Sequence, residues 1–292
     1  MNLLAFDIGG TQIKYGLIDQ AGEVLHAETV STQAGQGGAA LLERLVMLAR
    51  PWVEKACPAG IALSTLGLVE PAHGTILAAA EAVPGYIGCS PKAALQQAFG
   101  LPVTVENDVN CVALAEGWRG AAQGASHYIA VAVGTGIGGG IVINGRLYRG
   151  HRAAAGEWGY MRINGKLWED HASMRGLVHA AQAATGRIGL DGRAIFAAYD
   201  AGDPAFTRLV ADWLTLLATG IVNLIYAFNP ERVVIGGGIA GRGERFLAEL
   251  NASIDGILLP DFHGMSRIVL ASAGNHAGMI GAARNWLTEQ LG

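Results

Sequence analysis

Cysteine is scarce: Cys57, Cys89 and Cys111 lie dispersed along 292 positions. No C-x-x-C pair occurs, so neither a disulfide framework nor a cysteine-ligated metal or redox centre is expected, and the usage fits a reducing cytoplasm. Proline is sparse, nine in all, and no Pro/Ser-rich linker divides the chain. Charge is also low, 15% of residues with a net −4. Without a clustered Lys/Arg excess, neither nucleic acid nor a membrane surface is an expected partner. The longest uncharged apolar stretch at a helical position, Trp213 to Phe228, is interrupted by Thr215, Thr219 and Asn223. It is shorter than the roughly 20 residues of a membrane span, which predicts a buried core helix. Met1 leads into an apolar strand pattern with no basic n-region, so no secretory signal is expected.

Glycine is abundant instead, 43 residues, about twice the ordinary share. A 51% hydrophobic composition rules out disorder, and the absence of a G-X-Y period rules out collagen. Apolar strand-like runs alternate with amphipathic stretches, which indicates an α/β fold. Leu3 to Asp7, Ile13 to Ile18 and Glu23 to Val30 read as a meander. Helices are expected over Gly38 to Lys55, Pro91 to Phe99 with Ser90 as N-cap, and Asp108 to Trp118. Strands are expected at Ile61 to Ser64 and Val103 to Glu106.

The second half repeats the opening. Shifting the chain by about 124 residues pairs Gly10 with Gly134, Thr11 with Thr135, Ile13 with Ile137, Gly16 with Gly140, Leu17 with Ile141 and Ile18 with Val142. Two related halves with facing glycine-rich turns are therefore expected, residues 1–117 plus 275–292 forming one domain and 118–274 the other. Asp203-Pro204 opens a long helix to Phe228. Arg232 to Ile235 and Arg267 to Ala271 are strands, Glu244 to Ile257 and Gly278 to Leu291 helices.

Several motifs carry chemistry. Asp7-Ile8-Gly9-Gly10-Thr11 ends a strand with a carboxylate, two glycines and a hydroxyl, suited to hydrated Mg²⁺ and a phosphate; a tight Gly-Gly hairpin with Asp7 as turn acceptor explains it equally well. Gly134 to Gly140 places more glycines between two strands than a hairpin needs. Gly236-Gly237-Gly238-Ile239-Ala240-Gly241 follows a strand and has Asp255 downstream, close to a dinucleotide-binding fingerprint. In Glu106-Asn107-Asp108, Asp108 suits proton abstraction from a hydroxyl, or is simply the N-cap of its helix. Gly156-Glu157-Trp158-Gly159-Tyr160 and Trp168-Glu169-Asp170 join carboxylates to aromatics, a combination that holds polyhydroxylated ligands. Glu169 and Asp170 also fit the acidic start of a helix through Ala181.

Together these motifs resemble, over essentially the whole chain, the ROK family of sugar kinases within the actin, sugar kinase and Hsp70 ATPase superfamily. The resemblance rests on Asp7 to Thr11, Glu106 to Asp108, Gly134 to Gly140, Ala155-Gly156-Glu157, Gly236 to Gly238 and the closing Ala277 to Ala283. It implies two ribonuclease H-like (actin-like ATPase) domains with a nucleotide and sugar cleft between them. ATP and Mg²⁺ are the implied cofactors and a homodimer the implied assembly. Asp108 would be the catalytic base, and Gly67, Asn107, Glu157, Tyr160 and Glu169 would meet the sugar. Asp7 would orient Mg²⁺ through water. Gly9, Gly10, Thr11, Gly134, Thr135, Gly136 and Gly138 would hold phosphates, and Gly236, Gly237 and Gly238 the adenosine.

Two departures from the family pattern stand out. Met161 to Trp168 lacks the family's cysteine zinc motif, so no zinc site is expected, and Tyr160 occupies a usual histidine position. The Gly-Glu-aromatic-Gly-Tyr-Met segment resembles β-glucoside kinases, which leaves a β-glucoside, glucose and N-acetylmannosamine as acceptors. Two other readings remain open. One is an NAD(P)-dependent oxidoreductase using Gly236 to Gly241. The other is a sugar-responsive regulator of the same family, although the first strand at Leu3 leaves no room for a preceding helix-turn-helix.

Overall fold

A computed structural model of the protein describes residues 1–291; Gly292, the last position of the expected closing segment, lies outside the described residues. The first half contains strands β1 (Asn2–Ile8), β2 (Gln12–Asp19) and β3 (Val24–Ser31), helix α1 (Gly37–Ala56), then β4 (Ile61–Thr65), β5 (Leu68–Glu70), β6 (Thr75–Ala78), α2 (Pro91–Phe99), β7 (Val103–Asn107) and α3 (Asp108–Arg119). Next come β8 (Tyr128–Val133), β9 (Ile137–Ile143), β10 (Arg146–Leu147), β11 (Arg162–Ile163), β12 (Lys166–Leu167), α4 (Trp168–Ala172), α5 (Met174–Thr185) and α6 (Gly192–Asp200). The chain closes with α7 (Pro204–Phe228), β13 (Arg232–Gly236), α8 (Glu244–Asp255), β14 (Arg267–Leu270) and α9 (Ala277–Leu291).

Two five-stranded sheets have matching orders, β3-β2-β1-β4-β7 and β10-β9-β8-β13-β14. In the first, β1 is antiparallel to β2 and parallel to β4, which is parallel to β7. In the second, β8, β13 and β14 are parallel. The repeated strand-turn-strand unit expected from the sequence is β1–β2 in the first sheet and β8–β9 in the second; the match of the remaining strands goes beyond it. The chain separates into two compact units, one made of Met1–Gly124, Gly140–Ala155 and the segment from Ser272 onward, the other of Ala125–Gly139 and Gly156–Ala271. Residues 118–124, 140–155 and 272–274, expected with the second domain, thus cluster with the first.

In the first unit both faces of the sheet are covered, which explains the uninterrupted apolar run of β1. Leu4, Phe6 and Ile8 join Leu41, Leu45 and Tyr86 on one face, while Leu3 and Ala5 join Cys111, Met279, Ala282 and Trp286 on the other. Contact between α3 and α9 is close enough that a Cβ on Gly281 would overlap the Cys111 carbonyl. Ser90 caps α2 by accepting from the Ala93 N–H, with Pro91 in the first turn, as its sequence signature predicts.

In the second unit, α7 is long and apolar enough to cross a membrane by length and composition, yet Phe206, Trp213, Leu217, Ile221 and Leu224 are buried against its own unit. Trp168, fully buried, reaches α7 across Gly220 and donates from its indole N–H to the Leu216 carbonyl at 3.0 Å. The single helix expected from Glu169 to Ala181 is two. Ser173 breaks it by accepting from the Gly176 N–H and capping α5, while its own carbonyl accepts from the Trp213 indole at 3.2 Å. Where the family's zinc motif would lie, β11 and β12 close a hairpin over Asn164 and Gly165, both at positive φ, 52° and 78°. That is the signature of a type I′ turn.

Gly281→Ala tests the α3–α9 contact. Alanine in a helix interior ordinarily gains about 1 kcal/mol over glycine. Here the clash with the Cys111 backbone is expected to reverse the sign, to a loss of about 1–3 kcal/mol in urea unfolding. A stabilised variant would contradict this packing.

Candidate active site

In the first unit, β1 and β2 turn over Gly10 and Thr11, closed by the Gly9 N–H donating to the Gln12 carbonyl at 2.9 Å. Thr32 Oγ1 donates to the Gly9 carbonyl at 2.6 Å. Asp7 stands one residue before the end of β1. Its Oδ1 accepts from Ser64 Oγ at 2.9 Å, and Lys14 Nζ lies 3.9 Å from Oδ2. A Cβ on Gly278 would overlap the carboxyl, so α9 approaches Asp7 through a glycine. Burial raises the Asp7 pKa, more than Ser64, Lys14 and His276 lower it. A carboxylate left short of compensating charge fits a hydrated cation. Among the described residues no group of three or more His, Cys, Asp or Glu could cage a metal. A divalent ion here would keep its own waters, as Mg²⁺ does.

At the β7–α3 junction the N-cap lies one residue before Asp108. Asn107 is the cap, its Oδ1 accepting from the N–H groups of Val109 at 2.9 Å and Asn110 at 3.1 Å. Asp108 is the first residue of α3, with Oδ1 2.9 Å from the Val109 N–H. The amide of Asn107 also donates to the Gly67 carbonyl at 3.0 Å, so these two expected sugar contacts are tied to each other. Glu106, immediately before, is 1% exposed. Its Oε1 accepts from the Asn107 N–H at 2.8 Å and Asn110 Nδ2 at 2.9 Å, and its Oε2 from Arg149 Nε. The Arg149 guanidinium continues to Asn285 Oδ1 at 2.7 Å and Glu289 Oε1 at 3.0 Å. Burial disfavours its charge, but Glu106 and Glu289 more than offset this and its pKa rises. Sequence reasoning missed Arg149: it stands 43 positions from Glu106, and no spacing rule links them.

In the second unit, the turn between β8 and β9 covers Gly134, Thr135 and Gly136. The Gly134 N–H donates to the Gly136 carbonyl at 3.0 Å, and the Gly134 carbonyl accepts from Met174 N–H, at the start of α5, at 2.9 Å. The expected glycine-rich turn through Gly140 is shorter, because β9 already begins at Ile137. Gly138 lies in that strand, its carbonyl accepting from the Trp158 indole at 3.1 Å, and the same ring covers Gly139 where a Cβ would stand. Part of the glycine excess therefore serves an indole rather than a phosphate. A Cβ on Gly136 would sit 2.5 Å from Glu169 Oε2, and that oxygen accepts from the Ile137 N–H at 3.3 Å. Arg175 approaches the other Glu169 oxygen at 3.4 Å. Glu157 is half-buried, and burial together with repulsion from Glu169 raises its pKa. Tyr160 is 52% exposed. Glu157 and Glu169 thus share an electrostatic environment.

Gly237, at φ +86°, lies across the Val133 carbonyl where any Cβ would collide, so its glycine is required by the backbone. The run then enters a 3₁₀ turn, Gly238–Arg242, before α8. Asp255 is the last residue of α8. A dinucleotide fingerprint needs a glycine turn opening directly into a long helix and an acidic residue at a strand end; neither is present here, which removes the structural basis for the NAD(P) reading.

The family model for the ROK family matches residues 3–289, and the chain belongs to that family. It is similar to a β-glucoside kinase of Listeria monocytogenes, 37% identical over 300 aligned positions that cover 99% of each chain. A ROK family protein from Streptococcus pneumoniae, solved in complex with sucrose, superposes with a TM-score of 0.89 at 30% identity, covering 99% of both chains. A ROK glucokinase from Streptomyces griseus, solved with glucose and AMPPNP, gives a TM-score of 0.82 at 27% identity over 97% of this chain and 98% of that one. The fold is thereby that of the actin-like ATPase sugar kinases.

The raised Glu157 pKa carries a sign. A carboxyl raised in the folded state contributes stability that is complete below the ordinary carboxylate range and is lost as pH rises through the raised value. Glu157→Gln is therefore expected to melt above the parent at about pH 8, the gap closing toward about pH 4. Equal melting temperatures across that range would contradict the raised pKa that burial and, second, Glu169 impose.

Proposed function

We propose that this chain transfers the γ-phosphoryl group of ATP, with Mg²⁺, to a primary hydroxyl of a hexose or hexoside, with Asp108 as general base. The carbohydrate-kinase class rests on family membership over residues 3–289 and on full-length likeness to a β-glucoside kinase. The observation that supports the base assignment is the register of the junction: Asn107 is the N-cap, and Asp108 stands at the first position of α3 with Oδ1 accepting from the Val109 N–H.

Asp108 accepts the hydroxyl proton as the sugar oxygen attacks in line, so the developing alkoxide never stands as a full charge. Glu157 and Glu169 accept from sugar hydroxyls and fix the ring, while the turns at Gly9 to Thr11 and Gly134 to Gly136, together with Gly236 to Gly238, take the nucleotide. Asp7 would hold Mg²⁺ through water, which supplies neutralisation of phosphate charge. Tyr160 stands half-exposed where typical family members place a histidine, and a ring face there suits a second sugar or an aglycone. This favours a β-glucoside over free glucose or N-acetylmannosamine as acceptor.

Asp108→Asn tests the base role. The expected outcome is a fall in kcat of about 10²–10⁴-fold with sugar affinity, measured by calorimetry, retained. Near-parental turnover would remove Asp108 from the chemistry.

A further inference from the structure

A polar chain runs from the surface of α9 through the half-buried Arg149 to the buried Glu106, two residues before Asp108, and the reading above gives Arg149 no part. Arg149, between β10 and the Gly156 turn, donates to Glu106 Oε2 at one end and to Asn285 and Glu289 of α9 at the other. Glu106 in turn accepts from the Asn107 N–H and Asn110 Nδ2, and Asn107 caps α3. All of these residues belong to the same unit.

This network is a poor device for stability. Asn110 Oδ1 and Asn285 Nδ2 are buried without a hydrogen-bond partner. A buried ionic group with unsatisfied neighbours is commonly no more stable than an apolar replacement. What it supplies is geometry. With one Glu106 oxygen held by Arg149, the other points at the Asn107 N–H, which fixes the backbone one residue before Asp108.

We propose that Arg149 is a positioning residue for phosphoryl transfer, acting through Glu106 and the Asn107 cap to hold the Asp108 carboxylate in its reactive orientation. This inference rests on Asp108 being the base. Without the guanidinium, Glu106 is left as an uncompensated buried carboxylate, which turns toward water or takes up a proton. Either response releases its hold on the Asn107 N–H. Displacement of a reacting group by about 1 Å is enough to reduce turnover by about 100-fold.

Steady-state kinetics on the full chain, with ATP-Mg and the best acceptor, test this. Arg149→Met is expected to lower kcat by about 10- to 100-fold while KM for ATP and for sugar stay within about threefold. Adding Glu106→Gln is expected to restore kcat to within about threefold of the parent, because the amide removes the unpaired charge and still accepts from Asn107. Arg149→Lys, which keeps the charge but not the planar fork, should fall between and serves if the methionine variant does not fold. A folded Arg149→Met or Arg149→Lys protein with parental kcat overturns the proposal, as does a double variant no better than Arg149→Met. Asp108→Asn run in parallel separates the two claims. An active Asp108→Asn protein defeats the base reading, whereas an inactive one beside a fully active Arg149→Met protein defeats only the role of Arg149.

Discussion

Glu106 is a carboxylate removed from water near the end of β7, a strand buried as far as Glu106 itself, and much of the first unit is arranged to satisfy it. Three donors converge on its two oxygens, from Asn107, Asn110 and Arg149. A buried charge without such partners is strongly destabilising. Because one donor is the backbone of Asn107, the same contact that satisfies the charge sets where α3 begins. Because another is Arg149, the segment after β10 and the helix α9 are drawn to the same point. Asp108 takes its place at the head of α3 as a consequence of this arrangement.

The two sheets show how one strand order supports different local chemistry. In the first, the turn between its paired strands is fastened by Thr32 and sits beside the half-buried Asp7. In the second, the equivalent turn is fastened by the start of α5, and its glycines make room for Glu169 and for the Trp158 ring. Glycine is used in both, but for different neighbours: backbone at Gly237 and Gly281, a carboxylate at Gly136 and Gly278, an indole at Gly139 and Gly220.

Much of this was legible in the sequence, because local signals agreed with the fold. The Ser90-Pro91 and Asp203-Pro204 caps, the apolar run of β1 and the 124-residue repeat all mark elements that the structure contains. The glycine run at 134–140 was read as a longer turn than it is, since composition does not distinguish a glycine at a turn from one beneath a tryptophan. The sequence offers Asp108 as a base or as the cap of its helix, whereas Asn107, one residue earlier, is the cap; both are good capping residues and only the backbone register decides. The break at Ser173 and the link between Arg149 and Glu106 depend on tertiary partners, Trp213 and α9, that no local window contains.

Product analysis tests the central claim most directly. The protein is incubated with ATP-Mg and a panel of glucose, N-acetylmannosamine, cellobiose and aryl β-glucosides, and the products are read by phosphorus–proton correlation NMR. The expected result is sugar-dependent ADP formation with phosphate on a primary hydroxyl, fastest for a β-glucoside. ADP formation that no sugar accelerates, or phosphate placed on a secondary or anomeric hydroxyl, would contradict it.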